Sequence, residues 1–145
     1  MKGLEDYINE ELILESIIGY LDNYKITLDL IPHAEDRQTR DDRPYIPKYE
    51  ISWTIAKVAK NIRDDFNEEL INYKDRIQII DKSRNEHLNV LCDIYDDIKK
   101  SDNIKLSIVT IKEGNMPTHD IKKIYTTYSS DNKVKNEASL LKNQL

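Results

Sequence analysis

Apolar residues at Leu4, Tyr7, Ile8, Leu12, Leu14, Ile17, Ile18 and Leu21 recur in steps of three and four. That spacing lines side chains along a helix face, and it predicts a first helix over about residues 4 to 20. The period then shortens to two. Ile26, Leu28 and Leu30 alternate with Lys25, Thr27 and Asp29, and later Tyr49, Ile51, Trp53 and Ile55 alternate with Lys48, Glu50, Ser52 and Thr54. Each run predicts a strand with one buried face. Between them lies a charge-dense loop punctuated by Pro32, Pro44 and Pro47.

From Lys57 to Glu69 the spacing of Ile62, Phe66 and Leu70 is helical, but Ile71, Tyr73, Ile77 and Ile79 restore a period of two. The expectation is an irregular or briefly helical connection leading into a strand over about 70 to 81. SRNE at 83 to 86 reads as a capping box, in which Ser83 accepts from the Glu86 backbone N–H while Glu86 reaches back. It predicts a second helix with Leu88, Leu91, Tyr95 and Ile98 as its inner stripe. Asn103 to Lys112 and Asp120 to Tyr128 flank the turn formers EGNMP and read as a closing hairpin.

The order is helix, three strands, helix, two strands. It predicts an α+β domain over residues 1 to 128: a mainly antiparallel sheet of about five strands, two helices on one face, and a long loop after the first strand. Residues 129 to 145 form a polar tail that orders against a partner. Trp53, Ile51, Ile79, Leu91 and Ile98 are the expected core.

Composition narrows the function classes. With 27 acidic and 22 basic residues the formal net charge is -5, which gives no general attraction to phosphate backbones or anionic lipid. Cys92 is the only cysteine, so an intramolecular disulfide and any zinc site built on two thiolates are excluded. The opening MKGLEDYINEELILESIIGYLDNY interleaves acids with apolar residues, unlike a signal peptide, and cytosolic synthesis is expected.

Candidate chemistry is sparse. His33-Ala34-Glu35 matches half of the zinc-deaminase signature, whose other half needs two cysteines. His33, Glu35, Asp36, Asp41 and Asp42 could gather around a hard cation, but Arg37, Arg40 and Arg43 lie among them and would repel it. Ser83, His87 and Asp93 include no nucleophile elbow. Three glycines, Gly3, Gly19 and Gly114, build no phosphate-cradling loop. No enzyme activity, cofactor or metal is expected.

KYEISW at 48 to 53, then NYKDRIQIIDKSRNEHLNVLCDIYDDIKKS at 72 to 101, resemble a pattern in small neck and tail-completion proteins of tailed bacteriophages. The shared features are a strand ending in a tryptophan, a second strand running into a polar turn with Asn85-Glu86, and a helix of the form V-L-x-D-x-x-x-D-I. Here that helix would carry Val90, Leu91, Asp93, Asp97 and Ile98. The predicted element order is also similar to the tail-terminator fold.

The resemblance implies a non-enzymatic virion protein, made in the host cytoplasm. It would be one subunit of a six- or twelve-fold ring in the head-to-tail connector (neck) or tail-completion complex. Its partners would be copies of itself and neighbouring portal, neck or tail proteins, with DNA passing through the ring and no membrane contact. The sequence departs from the family in its polar ending, DIKKIYTTYSS. A soluble monomeric binding module, such as an immunity or regulatory protein, fits the acidic balance as well. In the ring reading, the proline-stiffened loop supplies intersubunit contacts through Arg37, Arg40, Asp41, Asp42, Arg43 and Tyr45.

Overall fold

The computed structural model describes residues 4–30, 46–116 and 120–128. The loop residues Arg37, Arg40, Asp41, Asp42, Arg43 and Tyr45, and the tail from 129 to 145, lie outside the described residues. Helix α1 runs over Leu4–Asp22 and strand β1 over Ile26–Leu30, as the periodicity predicts. The turn between them needs a residue in the left-handed region, and Lys25 adopts it at φ 56°.

Residues Lys48–Ala56 form a helix, α2, where the alternation of Tyr49, Ile51, Trp53 and Ile55 predicts a strand. The longer pattern explains the difference. Ile51, Ile55, Ala59 and Ile62 recur at helical steps across both α2 and the next helix, α3 (Ala59–Asn67), and all four are buried. Ser52 and Thr54, buried on α2, donate their hydroxyls to the carbonyls of Lys48 and Glu50 four residues back, so the helix itself satisfies them. Trp53 packs against the core only half-buried.

Four strands follow: β2 (Arg76–Asp81), β3 (Leu88–Asp96), β4 (Ile104–Glu113) and β5 (Lys123–Thr127). The strand expected from 70 thus begins at Arg76. The helix expected after the SRNE turn is β3, because the alternation of Leu88, Val90, Cys92 and Ile94, all fully buried, wins over the competing helical stripe. Leu91 is half-buried on the opposite face, Tyr95 is exposed, and Ile98 lies beyond the strand in water. Ser83 caps no helix: its hydroxyl and its backbone N–H both donate to Asp81 Oδ1.

The sheet order is β1-β4-β3-β2-β5. Strand β3 runs antiparallel to both of its neighbours, β2 and β4, while β1 joins β4 and β5 joins β2 in parallel. The domain is therefore α+β with a mixed, open sheet, and it carries three described helices where two are expected. A β-bulge between Leu91 and Cys92 shifts the β3–β4 register. The helices cover the face carrying Ile26, Ile77, Ile79, Val90, Cys92, Ile94, Leu106 and Tyr125, and one continuous core joins helices and sheet.

The expected closing hairpin does not form, because β4 and β5 are separated by β3 and β2. Gly114, at φ +85°, turns the chain out of β4, and Gly114–Lys122 carries it to the opposite end of the far edge. Asn89 donates to the carbonyls of Lys112 and Gly114, and the Lys122 N–H donates to the Arg76 carbonyl. Buried Gln78 donates to Asn89 Oδ1 at 3.0 Å.

Candidate interaction surfaces

The charged side chains that pack against the sheet are paired. At one end of the sheet the Lys57 ammonium meets Asp81 at 2.9 Å, with 3% and 5% of their side chains exposed, and Ser83 Oγ lies 3.4 Å from the same ammonium. A serine beside a lysine has the outline of a nucleophile and base. Here, however, the Ser83 hydroxyl gives its proton to Asp81 Oδ1 at 2.5 Å, and the lysine is committed to the same carboxylate. Burial pushes the Asp81 carboxyl up, but hydrogen bonds from Ser83 and Lys57 outweigh it and hold the group below its ordinary value. The cluster fixes the β2–β3 turn onto α2.

A second cluster ties α3 to β5. Asp65 accepts from the Tyr125 hydroxyl at 2.6 Å and pairs with Lys123. Burial raises the Asp65 carboxyl, and the bonds from Lys123 and Tyr125 lower it further than burial raises it. Burial and the neighbouring carboxylate push the Tyr125 hydroxyl strongly up. On the helix-free face, Arg76 grips Asp93 with two bonds, of 2.6 and 3.0 Å. Around that pair Lys74, Asp75, Asp120 and Lys122 line an open concavity in which neither sign of charge dominates. Asp93 is thereby engaged away from Ser83 and His87. Burial pushes the Cys92 thiol far above its ordinary value, so it packs as an apolar group. No group of three or more potential metal-ligating side chains occurs among the described residues.

Two buried side-chain atoms, Gln78 Oε1 and Arg84 Nη1, have no hydrogen-bond partner among the described residues; the larger unsatisfied features are surfaces. Among the described residues, β1 and β5 each have one neighbour in the sheet, so each presents an open edge. Tracing the pairings from β1 through β4, β3 and β2 to β5 gives one direction for all but β3, so the two edge strands run the same way.

The β1 edge also has apolar residues beside it on the helix side. At the β1 edge, α1 buries Ile17, Tyr20 and Leu21 while leaving Leu12 37% and Ile18 43% exposed. Leu14, Ile18, Leu21, Ile26, Leu28 and Ile51 line a cavity of about 180 Å³ there, with Asp22, Ser52 and Lys100 among its polar lining. Beyond α3, Leu70 is 52% and Tyr73 47% exposed, and the adjoining Lys74 and Asp75 bond to Ile94 of β3. The Tyr73 ring meets Phe66 edge-on at 5.2 Å, and the Arg63 guanidinium lies over Phe66 at 5.5 Å.

Leu12, Ile18, Leu70 and Tyr73 were missed as site residues by the reading of the sequence. The signal available was excess: α1 carries more apolar positions between Leu12 and Leu21 than a single stripe needs. No family model matches the chain, and neither a curated protein nor a solved structure is significantly similar to it.

Proposed function

We propose that the protein is a non-enzymatic structural subunit whose copies join head to tail into a ring. Its setting would be the head-to-tail connector or tail-completion complex of a tailed bacteriophage, among portal, neck or tail proteins. The observation that carries the ring is the shared direction of the two open edges, β1 and β5. A small rotation about an axis beside the sheet would set β5 of one copy parallel to β1 of the next. Such a contact joins two different patches, the heterologous kind that closes into a ring when the rotation between copies completes a full turn. It would also continue the sheet from one copy into the next.

The phage setting rests on the resemblance, and only part of that matches in kind. NYKDRIQIID runs into strand β2, whereas KYEISW is helical and the Val90 to Ile98 run is mostly strand. Native mass spectrometry of the full chain tests the ring: a single closed multiple of the 17.1 kDa subunit is expected. A strict monomer over a wide concentration range would overturn it. Purified virions lacking the chain would overturn the phage setting while leaving the ring intact.

A further inference from the structure

We propose that residues 129–145 of one copy dock as an amphipathic helix on α1 of the next, laying Val134, Ala138, Leu141 and Leu145 over the cavity beside β1. The inference rests on the head-to-tail reading above and names the segment that would cover this surface. The receiving surface is apolar with an acidic border. Ile18, 43% exposed, stands at a cavity whose walls include Leu14, Leu21, Ile26, Leu28 and Ile51. Glu11 and Glu15 are exposed on the helix face that Ile18 continues, at i, i+4 and i+7. Helix α1 carries six acids and no base, so α1 of a second copy laid on it would meet like charge.

Spacing, charge and attachment select the occupant. In SSDNKVKNEASLLKNQL, which follows β5, Val134, Ala138, Leu141 and Leu145 recur in steps of four, three and four. That spacing gathers them on one helix face with Lys135 and Lys142 along its flank. Residues 133–145 hold three lysines against one acid, the sign opposite to α1. Residues 31–45 hold four acids against three arginines and have no such stripe. An apolar helix face laid into an apolar groove is a recurring mode of protein recognition. The cavity holds about 180 Å³, comparable to an engineered apolar cavity of about 150 Å³ that takes up benzene. Leu14 to Leu21 and Ile26 to Leu28 line it together, so α1 doubles back along β1. Joining β5 to the next copy's β1 would start the tail one strand spacing, about 4.8 Å, from that strand. Within one chain β1 and β5 lie four spacings apart, about 19 Å, so the nearer α1 is the neighbour's. The five residues 129–133 are an ordinary length for a connection from a strand into a helix.

Crosslinking between full-length chains tests the contact. One chain would carry Glu15→Cys and a second Lys142→Cys, mixed with a short bifunctional thiol reagent. Glu15 is exposed and the native Cys92 is buried, so the substitution at Glu15 spares the core and the introduced thiols are the reactive ones. The expected product is a pair with one chain of each kind, and adding Leu141→Glu to the second chain should lower its yield about tenfold. A chain carrying both cysteines that closes on itself would put the tail on its own α1, and coupling between two Glu15→Cys chains would put α1 against α1; either overturns the proposal. If native mass spectrometry shows the parent as a closed multiple, yet no mixed pair forms or the pair is indifferent to Leu141→Glu, the tail contact is wrong while the ring stands. If the parent chain is itself a monomer at every concentration, the ring reading fails and takes this contact with it.

Discussion

At Lys57 and Asp81 the structure buries two opposite charges almost completely. Removing one partner of such a pair leaves the other charged and dry, so Asp81→Asn should cost about 3 to 5 kcal/mol in chemical denaturation. The double change Lys57→Met with Asp81→Leu should cost less than that single one. Asp81 also sets a pH dependence, together with Asp65 and Asp97, since all three carboxyls are held below their ordinary value in the folded chain. A depressed carboxyl contributes stability that is present above its unfolded value of about 3.9 and is lost as pH falls through the folded value. Thermal midpoints should therefore drop as pH falls below about 4, and Asp81→Asn should flatten that drop.

Ile94 and Ile98 test β3 in the same way. They are four residues apart and would share a helix face, yet Ile94 has no exposed surface and Ile98 is 94% exposed. Ile94→Ala should cost about 2 to 5 kcal/mol and Ile98→Ala less than about 0.5 kcal/mol by denaturant midpoint. Both readings of this segment were present in the sequence. Leu88, Leu91, Tyr95 and Ile98 have helical spacing while Leu88, Val90, Cys92 and Ile94 alternate. Ser83, which the capping-box pattern assigns to a helix start, serves Asp81 instead.

Among the elements, β5 is the one most dependent on a single anchor. It has one strand neighbour, and Asp65 on α3 holds both Lys123 and Tyr125. Tyr125→Phe removes a hydrogen bond to a carboxylate, which should cost about 1.5 to 3 kcal/mol. Asp65→Ala should strip hydrogen-exchange protection from the β5 amides before those of β3 or β4 are affected. Unchanged protection in β5 would mean that the β2 ladder alone secures it. Helix α1 and strands β1, β4 and β5 were legible because each has one dominant period. Helix α2 was not, because its short window alternates and only the longer run through Ile62 shows the helix. The place of β5 was also hidden. EGNMP marks a turn, but local turn residues do not specify which sheet edge the following strand will join.

For the whole molecule, the net charge of -5 fits a conduit that does not grip phosphates. The isolated protein should bind duplex DNA only weakly at physiological salt, as read by fluorescence anisotropy. Tight binding with a steep salt dependence would replace the conduit with a DNA-holding role. The candidate contact surface was legible only in part. The resemblance gave an assembly role only as an expectation and put its contacts on the loop, whereas the open edges and their shared direction depend on the sheet order.

That shared direction is also the feature open to the most direct test. Asp29 on β1 and Thr126 on β5 are partly exposed strand residues, and the buried Cys92 leaves an introduced thiol as the reactive one among the described residues. One chain would carry Asp29→Cys and a second Thr126→Cys, and the two would be mixed with a short bifunctional thiol crosslinker. The ring account predicts a crosslinked pair containing one chain of each kind, with little coupling of either kind to itself. Crosslinks only between like chains would mean a two-fold contact, and none at any concentration would mean that the edges do not meet. Either result would contradict the account.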